Sequence, residues 1–168
     1  MNIYINEESI LHIETLIVGL PEHINQLREI KYNNQSINEQ LETLKQHHII
    51  GSSVGKISST MFYTNNQPKR LLTVGLGNLK DLSYQRLLKV WGHTFQFLKQ
   101  EHINEAEVLL DTFISKYNDS IEVAKTFGLQ SNQSIYQFDN YKSDKKAPYQ
   151  PNICLLYTSD AADERSSV

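Results

Sequence analysis

The apolar and polar positions near the start of the chain predict a strand. Residues 11–18 alternate between the two classes and then become continuously apolar, which is typical of a strand that enters a protein core. Gly19 and Pro21 are expected to end this strand. Residues 22–34 have apolar positions at helical spacing but finish in a polar Asn-Asn-Gln run, so the pattern leaves both a helix and a loop open there.

Residues 36–48 predict a short amphipathic helix. Apolar side chains recur at four- and three-residue spacing at Ile37, Leu41 and Leu44. Ser36, with Glu39 three residues later, is typical of a capping box at a helix N-terminus.

The middle of the chain predicts two neighbouring strands and a long helix. Residues 54–63 and 70–74 are strand-like and are separated by a turn sequence; the second is almost entirely apolar, as in a strand that is covered on both faces. Residues 75–77, Gly-Leu-Gly, are expected to turn the chain. Residues 83–101 then place apolar side chains on one stripe, the clearest helical pattern in the sequence.

A last strand and helix complete the predicted order of elements. Residues 106–113 predict a strand, and Asp119 with Glu122 can cap the helix that follows. The order strand, helix, strand, strand, helix, strand, helix predicts an α/β protein. We expect a three-layer α/β/α sandwich whose mostly parallel sheet is joined by right-handed crossovers.

Composition and charge exclude several classes of function. The chain has 168 residues with 16 Lys and Arg against 19 Asp and Glu, so its net charge is −3 and no basic surface for a nucleic acid is expected. Cys154 is the single cysteine, which excludes an internal disulfide and indicates a reducing compartment. No stretch approaches the ~18 apolar residues of a membrane span, and residues 1–10 lack the basic start of a leader peptide. We therefore expect a cytoplasmic protein with no membrane partner.

Two glycine-rich segments are candidates for a phosphate loop. Residues 51–56 resemble a P-loop, but the motif would need a glycine at Ile50 and a hydroxyl residue at Ile57. Residues 75–77 lie between a strand and a helix, where free backbone N–H groups can hold an anion. The third glycine of the dinucleotide fingerprint would fall at Lys80, so a plain tight turn is the alternative.

The histidines form no recognisable metal motif. Two adjacent histidines on a helix point about 100° apart and cannot easily reach one ion. The sequence contains no HExxH, CxxC or GxSxG pattern, so we predict no catalytic, cofactor-binding or metal-binding residue in this chain. The histidines are His12, His23, His47, His48, His93 and His102.

The end of the chain differs from the rest in composition. Residues 155–168 contain no Asn, Gln, Ile or Lys, which are abundant before them. The segment Y-T-S-D-A-A-D-E-R-S-S-V resembles translated sequencing-adaptor read-through. We therefore predict a domain over residues 1–150 and assign residues 151–168 to the start of a linker and a non-native tail, with a native disordered terminus as the alternative.

Residues 70–77 read R-L-L-T-V-G-L-G before the long helix, and residues 136–142 read Y-Q-F-D-N-Y-K. These two segments resemble the N-terminal domain of the cytosol (leucyl) aminopeptidase family. In that family a strand ending in V-G-L-G precedes a long helix, and a helix containing E-G leads to Y-x-F-x-x-Y-K before the linker. Here E-G is represented by Phe127-Gly128, farther from Tyr136 than in the family pattern. The resemblance extends over residues 11–151.

The resemblance implies an α/β/α fold similar to macro domains, packed on a C-terminal catalytic domain. In the family that domain holds two divalent metals, manganese or zinc, which activate water to remove N-terminal residues from peptides. Its lysine and its N-T-D-A-E-G-R loop are not in this chain, so the fragment is expected to be an inactive part of a hydrolase. Tyr136, Phe138 and Tyr141 are assigned to docking or packing. The expected partners are the missing catalytic domain and sister subunits, which form a hexamer in the family.

The alternative function is a stand-alone macro-like module. It would bind ADP-ribose or another phosphate ligand at residues 75–77 and at the start of the helix after Ser83. Macro modules usually have a second glycine-rich phosphate loop, and the sequence after Phe113 lacks one. A purely structural adaptor is a third possibility.

Overall fold

A six-stranded sheet forms the centre of the computed structural model, which describes residues 2–9, 13–26, 29–64, 67–134 and 149–157 and the backbone of residues 135–140. The strand order is β1-β8-β7-β2-β6-β5, and all neighbours are parallel except β5, which is antiparallel to β6. A separate two-stranded hairpin consists of β3 and β4. The strands are β1 (Asn2–Asn6), β2 (Thr15–Pro21), β3 (Lys31–Tyr32), β4 (Gln35–Ser36), β5 (Ile57–Thr64), β6 (Gln67–Gly77), β7 (Glu105–Leu109) and β8 (Asn152–Leu156).

Three α-helices connect these strands: α1 (Asn38–Gln46), α2 (Tyr84–Gln100) and α3 (Ser120–Asn140). Short 3₁₀ turns lie at Ile24–Gln26, Leu79–Asp81 and Leu110–Phe113. Within the described ranges, no helix combines the length and the apolar character needed to cross a membrane.

Both faces of the sheet are covered. All seven residues of β2 are buried. On one face, the ring centroid of Trp91 in α2 lies 4.3 Å from that of Phe113. It also lies 5.0 Å from the ring centroid of Phe127 in α3, which it meets edge-on. On the other face, Tyr32 of β3 contacts Glu107 of β7. The predicted α/β class, with a mostly parallel sheet between flanking layers, is confirmed.

The first predicted strand exists but does not end where expected. It begins at Thr15 and runs through Gly19, so the predicted stop at the glycine was wrong; it ends at Pro21, the second predicted stop. Glycine fits inside the strand because a Cβ atom at position 19 would lie 2.8 Å from a Leu76 methyl and 3.2 Å from the Phe113 ring. Pro21 is tolerated because it is the last residue, beyond a register shift. Residues 11 and 12 lie outside the described ranges.

The predicted capping box of α1 is not formed. Ser36 belongs to β4, the cap position is Ile37, and no side chain of that residue caps the helix. Asn38 instead uses its Oδ1 atom to accept a hydrogen bond of 2.8 Å from the N–H of Ile30. The segment before α1, which the sequence left open, is a 3₁₀ turn followed by the β3–β4 hairpin.

The middle of the chain folds as the pattern predicts, with one difference. β5 and β6 form an antiparallel hairpin, and α2 begins after Ser83, whose Oγ accepts a hydrogen bond from the Arg86 N–H at 3.2 Å. Residues 75–77 do not turn the chain, because β6 continues to Gly77 and the turn follows at Asn78.

The second half contains the predicted strand and helix with different ends. β7 ends at Leu109, and the remaining predicted strand residues form a 3₁₀ turn. Asp119 caps α3 as predicted, since its Oδ1 accepts the Glu122 N–H at 2.8 Å. The helix then continues through Gly128 as far as Asn140.

The first and last strands, β1 and β8, have no counterpart among the predicted elements. β8 lies between β1 and β7, and its last four residues are buried. Residues 152–156 are part of the sheet, although the sequence predicts the start of a linker there and a non-native tail from residue 155. The boundary predicted at residue 150 therefore precedes the last strand. Residues 158–168 of the tail lie outside the described ranges, so their assignment as non-native stays a prediction.

Candidate functional site

The end of β6 was the best candidate for an anion site, and its backbone groups are already bonded. The N–H of Gly75 donates to the carbonyl of Lys56 at 2.8 Å, and that of Gly77 donates to Ser52 at 2.7 Å. The carbonyl of Gly75 accepts a hydrogen bond from the N–H of Gly55 at 2.9 Å. An anion at a strand-to-helix turn needs free N–H groups. Here the loop of residues 51–56 occupies both glycine N–H groups.

The glycines at this position allow close packing of that loop. A Cβ atom at Gly75 would lie 1.9 Å from the carbonyl oxygen of Ser53, which is far inside van der Waals contact. Gly77 has a φ of +66°, a region that favours glycine. The start of α2 is capped by its own Ser83. The geometry therefore favours a strand end packed against residues 51–56 over a phosphate loop.

One of the histidines contacts the P-loop-like segment of residues 51–56. Gly55 has a φ of +82°, and its carbonyl oxygen lies 2.9 Å from Nδ1 of His93. His48 and His102 have left-handed backbones at the ends of α1 and α2. Over the residues that the structure describes, no three His, Cys, Asp or Glu side chains come together in a way that could hold a metal ion. His12 lies outside those residues.

A buried polar cluster that the sequence analysis missed lies on the face opposite α2. Nζ of Lys69 is 2.9 Å from Oε1 of Glu107, and both side chains are almost completely buried. The hydroxyl of Tyr32 donates to the same oxygen at 2.8 Å and also accepts from the Lys69 ammonium. Ser9 Oγ lies 2.8 Å from the Tyr32 hydroxyl and 3.1 Å from Glu107 Oε1. We call these four residues the Lys69 cluster.

Burial raises the pKa values of Tyr32 in the cluster and of Cys154 beside it. Burial raises the pKa of Tyr32, and the negative charge of Glu107 raises it further. Burial raises the pKa of Cys154, the neighbour of Glu107 across β7 and β8, to about 11. A phenol and a thiol with raised pKa values are poor nucleophiles near neutral pH. The contacts of the cluster connect Tyr32 of the β3–β4 hairpin to Lys69 of β6 and Glu107 of β7.

Large apolar side chains are exposed at both edges of the sheet. On the edge strand β1 they are Ile3, Tyr4 and Ile5; on the other edge strand, β5, they are Met61 and Tyr63. Exposed apolar residues on the edge strands of a sheet are typical of surfaces that bind another protein segment.

The motif that carries the family resemblance is only partly described. Tyr136 and Phe138 belong to α3, not to a segment after it. Tyr141 lies outside the described residues. The assignment of these three side chains to docking or packing stays a prediction.

Comparisons with known proteins agree with this architecture. A sequence model of the cytosol aminopeptidase family, N-terminal domain, matches residues 17–145. The fold is similar to that of the bottromycin maturation enzyme BotP in complex with Mn, at 10% identity and a TM-score of 0.57 over 89% of this chain, which spans only 28% of that protein. It is also similar to the DarG macrodomain of Thermus aquaticus, at 6% identity and a TM-score of 0.55 over 92% of this chain and 97% of that one. The DarG macrodomain of Mycobacterium tuberculosis gives 9% identity, a TM-score of 0.55 and coverage of 93% and 98%.

Proposed function

Because the chain belongs to the cytosol aminopeptidase family, through a match to the N-terminal domain of that family over residues 17–145, we propose that it is the non-catalytic domain of a longer aminopeptidase. The full-length protein would remove N-terminal residues from peptides. The family match is the observation that carries this proposal. The share of BotP that the chain spans, 28%, supports it, because it leaves room for a catalytic domain elsewhere.

The described residues offer no set of donor groups for a metal pair. A two-metal hydrolase needs several carboxylates or histidines that converge on the ions. The described residues contain no such group of three or more, so they do not fit a metal pair. BotP is described in complex with Mn. We propose that manganese or zinc is held by the catalytic domain of the longer protein and not by this one.

We propose that this domain packs on the catalytic domain and contributes to oligomer assembly. The last described strand, β8, is an inner strand, and the N–H of Tyr157 just after it donates to Asn6 in β1 at 3.1 Å. Two linked domains keep a fixed arrangement only where the interface between them is large and apolar. The exposed apolar side chains on β1 and β5 offer surfaces for such contacts.

Extending the gene beyond the codon for Tyr157 tests the proposal. We expect the genomic reading frame to continue into a catalytic domain, and the extended protein with added Mn²⁺ to release p-nitroaniline from leucine p-nitroanilide. The 168-residue chain should give no rate above buffer, because the described residues converge on no metal-binding group. A frame that truly ends at Val168, or an extended protein without peptidase activity, would refute the proposed function.

The macro-like alternative makes a different prediction for the same chain. We expect ADP-ribose at millimolar concentration to change the melting temperature by less than about 1 °C, because a ligand stabilises a protein only if it binds the folded state. The glycine N–H groups that would hold its phosphates donate to Lys56 and Ser52 instead. Thermal denaturation followed by fluorescence measures the shift, with AMP as the control ligand. A saturable rise specific to ADP-ribose would favour the binding module.

A further inference from the structure

Within the described ranges, the backbone groups on the outer side of β1 have no neighbouring strand to bond. The N–H of Asn2 donates to the Pro151 carbonyl, and the carbonyl of Asn6 accepts from Tyr157, both at 3.1 Å. In a parallel ladder the residues that bond a neighbour alternate along the strand. The even-numbered residues of β1 therefore face β8, and the N–H and C=O groups of Ile3 and Ile5 point away from the sheet.

In the part of the chain that the structure describes, this edge has none of the features that protect exposed strands. Proteins usually block an edge with a charge, a proline or a bulge. β1 has the sequence N-I-Y-I-N, which contains neither charge nor proline, and it pairs with β8 without a register shift. The exposed fractions of Ile3, Tyr4 and Ile5 are 41%, 36% and 67%. The edge is thus open to a further strand.

The sequence of β1 is the same in both directions. A second copy that approaches in antiparallel orientation, with Tyr4 on the two-fold axis, places tyrosine opposite tyrosine, isoleucine opposite isoleucine and asparagine opposite asparagine. Ile3 of each copy then faces Ile5 of the other in a hydrogen-bonded pair, and four backbone hydrogen bonds form. Such a contact uses the same surface on both copies, as two-fold symmetry requires.

We propose that β1 joins two copies of this chain into a continuous sheet by antiparallel pairing centred on Tyr4. The proposal deepens the assembly role proposed above and rests on it. The opposite edge does not have this symmetry. β5 reads I-S-S-T-M-F-Y-T, so antiparallel pairing with itself about its centre would place Ser58 opposite Tyr63 and Ser59 opposite Phe62.

Cysteine cross-linking tests the register. Only a residue on the two-fold axis meets its own copy, and a non-hydrogen-bonded antiparallel pair has a Cα separation of about 4.5 Å, within disulfide range. Tyr4 is the register neighbour of Cys154, so the test uses Cys154→Ala as background. We expect Tyr4→Cys to form a disulfide-linked dimer under mild oxidation. The matched control, Ile5→Cys, should stay at the background level because it faces residue 3 of the partner.

A second measurement does not need an introduced thiol. Ile5→Pro removes one outward N–H without touching the ladder to β8, and Ile5→Lys adds a charge to the edge. In sedimentation velocity over a dilution series, we expect the unaltered chain to dimerise and both variants to be monomeric. Met61→Lys, an exposed position on β5, should dimerise like the unaltered chain.

The outcomes separate this inference from the proposed function. A monomeric unaltered chain at every concentration, or equal cross-linking at positions 4 and 5, would overturn the pairing through β1. The peptidase assay of the extended protein is independent of this edge. Activity there together with absent cross-linking would remove only the β1 proposal, whereas an inactive extended protein that cross-links would remove the proposed function.

Discussion

Replacing Lys69 with methionine should lower the free energy of unfolding by about 3–5 kcal/mol, because it leaves the Glu107 carboxylate buried without its cation. The two charged groups are 2.9 Å apart, and Glu107 has no exposed surface. Tyr32 would still donate to the carboxylate, but a neutral donor does not replace a charge. A loss of this size is a large part of the roughly 5–15 kcal/mol that stabilises a typical domain.

Urea unfolding measures this effect through the fluorescence of Trp91, the single tryptophan, which is fully buried. The double variant Lys69→Met with Glu107→Gln removes both charges and should recover a substantial part of the loss. Lys80→Met changes an exposed lysine and should alter stability by no more than about 0.5 kcal/mol. If the double variant were as unstable as Lys69→Met, the uncompensated charge would not be the cause.

Replacing Gly75 with alanine should destabilise the protein by about 3 kcal/mol, at the upper end of the range for overpacked interiors. The new Cβ would lie 1.9 Å from the Ser53 carbonyl oxygen and 2.8 Å from the Ser52 carbonyl carbon. Both are backbone atoms, so the loop of residues 51–56 must move. Two hydrogen bonds join this loop to Gly75: the Gly55 N–H donates to the Gly75 carbonyl, and the Gly75 N–H donates to the Lys56 carbonyl. Both would be weakened as the loop moves.

Gly128→Ala is the matched control for Gly75→Ala. Gly128 lies inside α3, and a Cβ atom there would meet nothing within 4 Å. Alanine is the better helix former, so this variant should be more stable by about 0.5–1 kcal/mol. Thermal and urea unfolding of both variants give the comparison. A Gly75→Ala protein as stable as the unaltered chain would show that the loop does not pack against β6 as described.

The sequence predicted well those elements whose information is local. The stripe of apolar residues in α2 and the Asp119 cap of α3 lie within a few residues of the structure that they determine. The family resemblance, based on residues 70–77 and 136–142, is confirmed by the family match over residues 17–145. The capping box at Ser36 failed because that residue joined a hairpin, which the helical pattern of residues 36–48 does not reveal.

The outer strands could not be predicted in the same way. β1 pairs with β8 in a register that joins Asn2 to Asn152, so each strand depends on a partner at the opposite end of the chain. A five-residue strand has little preference of its own, and packing against its neighbours decides whether it forms. The compositional change at residue 155 pointed to a foreign segment, yet Leu155 and Leu156 are buried in the sheet.

By itself, the sequence determined the α/β class, the family, the neighbouring strands β5 and β6 and the helix α2, because periodicity and short motifs act over a few residues. Only the tertiary structure decided what the charged and glycine positions do. Polar and apolar residues alternate at the start of β7, a pattern that permits Glu107 to face solvent. Glu107 is buried instead, because its partners Tyr32 and Lys69 come from other strands. From the sequence, residues 75–77 fit both a phosphate loop and a tight turn; in the structure they end β6, and the Gly75 and Gly77 N–H groups donate to residues 51–56. Long-range contacts choose between such alternatives because a buried polar group must be paired, whatever its distance along the sequence.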